Sequence, residues 1–135
     1  MMTNLRHLVI RGGYLYLSIN KFGYVQRIPL KDFMLAATHM ENKKATINGW
    51  ENCKVGSGTR TIEITPNGRY IVAACNSSSC LSVIDTKTMK TIATIPADSF
   101  PVGLDISKDG KYVYTTSQGH SGNGGNCVDI YQMEY

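Results

Sequence analysis

Three stretches of this chain repeat one another. RGGYLYLSIN, PNGRYIVAACN and KDGKYVYTTSQ each place a tyrosine after a glycine-containing turn, at Tyr14, Tyr70 and Tyr112, 56 and 42 residues apart. Each is followed by a second apolar run, YVQRIPL, CLSVIDT and CVDIYQM, in which Ile28, Ile84 and Ile130 align at intervals of 56 and 46. The unit is about 42 residues long, with an insertion in the first interval and a smaller one in the last. A chain that repeats itself at this period stacks supersecondary units, because no unit can bury its apolar face alone.

The best-formed unit reads as four short strands. Thr61–Ile64 alternates polar and apolar residues, Pro66-Asn67-Gly68 is a turn, and Tyr70–Ala74 is a second strand. Asn76–Ser79 is a polar turn, Leu81–Ile84 a third strand, and Thr91–Ile95 a fourth after the turn Thr86–Lys90. Four antiparallel strands per 40-odd residues is the pattern of a β-propeller blade. An ordinary sandwich is the competing all-β reading, but its strands need not resemble one another. The expected first blade has strands Leu8–Ile10, Tyr14–Ile19, Tyr24–Leu30 and Phe33–Thr38; the third has Val102–Ile106, Tyr112–Thr116 and Cys127–Met133, with no fourth strand. No stretch shows sustained helical periodicity with caps. The expectation is therefore all-β: one partial propeller over residues 1–135, with blade 1 at about 5–40, an insertion at 41–59, blade 2 at about 60–97 and blade 3 at about 98–135.

Residues 60–117 resemble the YVTN family of β-propellers. The resemblance rests on Pro101-Val102-Gly103, the turn Ser107-Lys108-Asp109-Gly110, the strand start Tyr112-Val113, and Val83-Ile84-Asp85-Thr86. It is weaker over residues 5–40, where GYVQRIPLKD stands in for the Val-Ile-Asp strand, and residues 41–59 fit no repeat. The resemblance implies the C-terminal blades of a longer propeller, and a periplasmic or cell-surface location for the full-length protein. Because propellers host many functions, it implies fold more than activity.

Rings close with four to eight blades, so three blades expose a sheet face at each end. Those faces are expected to meet either missing upstream blades or a second copy, since bare apolar patches of several hundred Å² are uncommon on monomers. The composition sets other limits. The 135 residues carry 14 Lys and Arg against 10 Asp and Glu, a scattered excess of +4 with no basic block that would mark a nucleic-acid partner. Neither a transmembrane segment nor a secretion signal is expected; the apolar run Leu8–Ile10 is too short for either.

Cys53, Cys75, Cys80 and Cys127 form no CxxC pair, and His7, His39 and His120 are scattered, so no metal site or cofactor is expected. Cys75 and Cys80 flank the turn Asn76–Ser79; simple hairpin register makes them face each other, which permits a disulfide in an oxidising compartment or two packed thiols in a reducing one.

Binding residues are sought on the loops around the propeller mouth, where strand pairs B–C and D–A connect. The candidates are Asn20, Lys21, Trp50, Arg60, Asn76, Gln118, His120 and Asn126. Trp50, on the insertion, either offers a stacking platform or folds back on its own blade. The glycine-rich loop Ser117–Asn126 either lets backbone amides approach an anion, with His120 as a base, or is a simple strand connection. Gly119-His120-Ser121-Gly122-Asn123 lacks the second glycine of a nucleophile elbow, and no GK[ST] follows Gly56-Ser57-Gly58-Thr59. Asp85, Asp105, Asp109 and Asp129 form no recognisable carboxylate pair, and the sequon Asn76-Ser77-Ser78 is of a kind that arises by chance. No catalytic set is assigned. The leading expectation is a non-catalytic binding or scaffold module of an exported or cell-surface bacterial protein, with an unknown ligand or protein partner. The alternative is a lactonase- or lyase-type propeller enzyme using His120, Asn76 and Asn126.

Overall fold

The computed structural model describes residues 3–134; residues 1, 2 and 135 of the expected domain lie outside them. Among the described residues, eleven strands form three antiparallel sheets. The first contains β1 (Leu5–Arg11), β2 (Tyr14–Ile19), β3 (Tyr24–Pro29) and β4 (Glu51–Lys54), with helix α1 (Leu30–Thr38) between β3 and β4. The second contains β5 (Thr59–Ile64), β6 (Tyr70–Cys75), β7 (Cys80–Asp85) and β8 (Lys90–Pro96). The third contains β9 (Pro101–Ile106), β10 (Tyr112–Ser117) and β11 (Val128–Gln132), three strands among the described residues. Each sheet is a meander in chain order, β1 touches β5, and β5 touches β9. These are stacked propeller blades with the first strand of each on the inner side, and Tyr14, Tyr70 and Tyr112 each open the second strand.

The repeat extends to hydrogen bonds. In blade 2, Gly68 N donates to Thr65 O, Thr65 N to Tyr70 O, and Asn67 Oδ1 accepts from Arg69 N and Thr65 Oγ1. In blade 3, Gly110 N donates to Ser107 O, Ser107 N to Tyr112 O, and Asp109 Oδ1 accepts from Lys111 N and Ser107 Oγ. A short polar side chain that captures the amide two residues on closes the first hairpin in both blades.

Blade 2 is packed on both faces because its strands are apolar on both. Ile62, Ile64, Ile71, Ala73, Cys75 and Ile84 meet Tyr16, Val25, Cys53 and Val55 of blade 1. Val72, Ala74 and Leu81 meet Val113 of blade 3, with Leu104, Ile106, Tyr131 and Met133 around them. The two ends of the stack differ. The far face of blade 3 is bare: Tyr112 and Tyr114 are 39% and 38% exposed, Val128 and Ile130 57% and 62%. On the far face of blade 1, Leu15, Leu17, Ile19 and Ile28 are buried, while Leu5, Leu8 and Ile10 at the inner edge stay exposed.

Two expectations are corrected. Phe33–Thr38 is not a strand but most of α1, and the fourth strand of blade 1 is β4, inside the segment expected to be an insertion. LKDFMLAAT is built from good helix formers, with Pro29 at the N-cap and Asp32 in the first turn, where a negative charge is favourable. Glu51–Lys54 is a strand only because Val25 and Gln26 present a free edge to Cys53 and Asn52.

Candidate functional site

Two kinds of loop share one end of the stack. The second-to-third strand turns follow Ile19, Cys75 and Ser117, and the blade-to-blade connections follow Lys54 and Pro96. Asn76 is their hub. It is 5% exposed, donates through Nδ2 to Pro101 O (3.2 Å), and donates through its amide to Gly58 O (2.9 Å). Ser78 N and Oγ both donate to Ser57 O, while Ser79 accepts from Ala97 N at its carbonyl and from Phe100 N at Oγ. The β6–β7 turn thus ties all three blades together at the mouth.

The other candidates are distributed unevenly. Asn20 lies at the mouth, where its Nδ2 donates to Thr59 O and its carbonyl accepts from Gly58 N. Lys21 is exposed, with its ammonium 5.4 Å from the Phe22 ring. Arg60 lies on inner strand β5, and its Nε is buried with no hydrogen-bond partner. Gln118, His120 and Asn126 are exposed on the glycine-rich loop. Trp50 is not brought to them. It precedes β4, whose first residue pairs with Arg27 toward the opposite end, and its Nε1 donates to Ile47 O (3.1 Å) within its own loop. Hollows open at that opposite end, one of about 640 Å³ lined by Ala36, His39 and Lys44 and one of about 330 Å³ lined by Tyr14, Tyr16 and Arg27.

The glycine-rich loop is folded rather than slack. The amides of Gln118 and Gly119 donate to Phe100 O and Ser99 O, His120 and Asn123 exchange backbone bonds, and Gly125 N donates to Asp98 Oδ2 (3.0 Å). These amides are engaged inside the protein, that of Gly125 by the Asp98 carboxylate. Gly119 has φ +72°, and a Cβ there would lie 2.7 Å from Asn123 O, so the fold requires glycine. The His120 ring stacks on Phe100 at 4.6 Å.

Sequence reasoning missed a polar cluster beside this loop. Cys127 Sγ donates to Asp98 Oδ2 (3.3 Å), Asp98 N donates to Asp129 Oδ2 (2.9 Å), and Tyr131 Oη donates to Pro96 O (2.9 Å). Amide donors from Gly125 and then Ser99 hold the Asp98 carboxyl below its usual range. Its hydrogen bond to Asp98 pushes the Cys127 thiol up, and burial followed by the Asp129 charge takes Tyr131 to about 12. Asp98 and Cys127 are 29 residues apart, and no local motif announces their meeting. Among the described residues no group of three or more His, Cys, Asp or Glu is placed to hold a metal, and no helix is long and apolar enough to cross a membrane.

No family model matches. The uncharacterised Lactococcus lactis protein YwcC is 37% identical over 76 residues, which is 48% of this chain and 22% of that protein. Hydrazine synthase from Kuenenia stuttgartiensis superposes with a TM-score of 0.76 at 22% identity, over 96% of this chain and 33% of that one. A candidate 6-phosphogluconolactonase from Bacteroides fragilis gives 0.70 at 15%, over 96% and 35%. The WD40 β-propeller domain of Doa1 gives 0.66 at 17%, over 96% and 37%. The fold is that of a β-propeller. The chain spans about a third of the solved chains it matches and about a fifth of YwcC.

Proposed function

We propose that this chain is a three-blade segment of a larger propeller of the YVTN type, acting as a non-catalytic binding and scaffold module of an exported or cell-surface protein. The observation that carries the scaffold reading is the bare far face of blade 3. Tyr112, Tyr114, Val128 and Ile130 stand where blade 2 offers Val72 and Ala74 to its neighbour, so the same packing surface is presented without an occupant. A further blade, from the same polypeptide or a second copy, covers it in this reading. The mouth loops support the binding reading: the Asn76–Ser79 hub holds the rim rigid while Lys21, Gln118, His120 and Asn126 remain exposed on it.

Light scattering on the isolated chain tests the scaffold reading. Association that is dispersed by Tyr114→Lys with Ile130→Lys supports it, and a stable monomer with the native residues overturns it. Binding at the rim is tested by thermal shift against panels of oligosaccharides and peptides, with hits expected to weaken in Lys21→Ala and His120→Ala. Turnover of 6-phosphogluconolactone that is lost in His120→Ala would replace the non-catalytic reading with the enzymatic one.

A further inference from the structure

Cys75 and Cys80 are direct partners across β6 and β7, and both are free thiols. Their pair type follows from the ladder. Thr86 N donates to Arg69 O (3.0 Å), which marks 69/86 as a hydrogen-bonded position; counting by twos along the register makes 71/84, 73/82 and 75/80 hydrogen-bonded as well. Such partners have Cα atoms about 5.5 Å apart, inside the roughly 4.4–6.8 Å of a disulfide. Both side chains border Gly56, where an added Cβ would lie 2.7 Å from Cys75 Cβ and 2.8 Å from Cys80 Sγ. The Cβ spacing in this pair type is toward the upper end of about 4.5–5.5 Å, against about 3.8 Å in a disulfide. A bridge therefore forms only by drawing the strand ends together by about 1–2 Å, and strained bridges are the readily reduced ones.

We infer that Cys75 and Cys80 are a reversible dithiol–disulfide site at the root of the hub turn, oxidised by small-molecule disulfides. Cys80, 7% exposed where Cys75 is fully buried, is the first to attack. Its thiolate displaces one thiol from oxidised glutathione and forms a mixed disulfide. Cys75 then displaces the second, so two electrons and both thiol protons end on two glutathione molecules. Closing the bridge pulls the strand ends beneath Asn76 and Ser79, and shifts the turn that ties Ser57, Gly58, Ala97, Phe100 and Pro101 together. The inference is independent of what the mouth binds.

The test uses the full chain carrying Cys127→Ser, which removes the exposed thiol. It is equilibrated in glutathione buffers of rising oxidised fraction, starting both from reduced protein and from protein oxidised in denaturant and refolded. Acid quench, alkylation in denaturant and peptide mapping then report each cysteine. The expected result is a species two hydrogens lighter, with Cys75 and Cys80 unalkylated and Cys53 alkylated, reached at the same fraction from both directions. Sheet circular dichroism should be retained, amide exchange should change across residues 76–79, and Cys80→Ser should abolish the species. Alkylation of both residues in every buffer from both starts, a bridge to Cys53, or loss of the sheet signal on oxidation would overturn the inference.

Discussion

Removing the Arg27 guanidinium should loosen the seam between blades 1 and 2. Arg27 is 8% exposed; its Nη1 donates to Thr86 O of blade 2 (2.5 Å), its Nε bonds Glu51, and its guanidinium carbon lies 4.4 Å from the Tyr14 ring centroid. Arg27→Ala leaves the buried Thr86 carbonyl without this donor, a cost of about 1–3 kcal/mol. Losing the ring contact adds about 0.5–1 kcal/mol. The Glu51 partner is half exposed, at 52% of its side chain, so that pair is discounted to less than about 1 kcal/mol. The total is about 3 kcal/mol. With a urea m-value of about 2 kcal/mol/M, the unfolding midpoint should fall by about 1.5 M at fixed protein concentration. Glu51→Gln serves as the control and should move it by less than about 0.5 M. An Arg27→Ala shift no larger than that of the control would refute the reasoning that the carbonyl bond, rather than the ion pair, secures the seam.

Gly119→Ala should destabilise by about 1–3 kcal/mol, read by the same urea titration, because φ +72° and the close Asn123 carbonyl both oppose a Cβ. The hydrogen-bonded carboxyls Asp85, Asp98 and Asp109 all titrate below their usual range, chiefly because each accepts from a backbone amide. Their contribution is therefore present above about pH 4 and lost as pH falls through the lower folded values. Thermal midpoints should drop on acidification below about pH 4, and Asp109→Asn should blunt that drop. In native alkylation at pH 8, exposed Cys127 should react before Cys75, whose thiol burial pushes up to about 11. Asp98→Asn should speed Cys127 several-fold by removing the carboxylate that holds its proton; equal rates in the two proteins would contradict this.

What the sequence determined is what recurs within it. Tyr14, Tyr70 and Tyr112 mark equivalent strand starts because the preceding turns impose a local geometry, carried by Asn67 in one repeat and Asp109 in another. The facing of Cys75 and Cys80 was equally legible, since a four-residue turn leaves few registers open. Extending the four-strand pattern into Phe33–Thr38 predicted a strand against the helical propensity of LKDFMLAAT; local propensity prevailed there, and the β3 edge pairs with Glu51–Lys54 instead. Glu51–Lys54 had no such local signal: only Cys53 of its four residues is buried, and its strand exists because β3 supplies a pairing edge. Two features at the stack's ends were decided by tertiary structure alone. Trp50 went to the opposite end once β4 fixed the direction of its loop, and Asp98 met Cys127 because two connections from different blades converge. Hydrogen bonding within a turn is set over a few residues. Pairing between distant segments depends on which edges and faces the rest of the chain leaves unfilled.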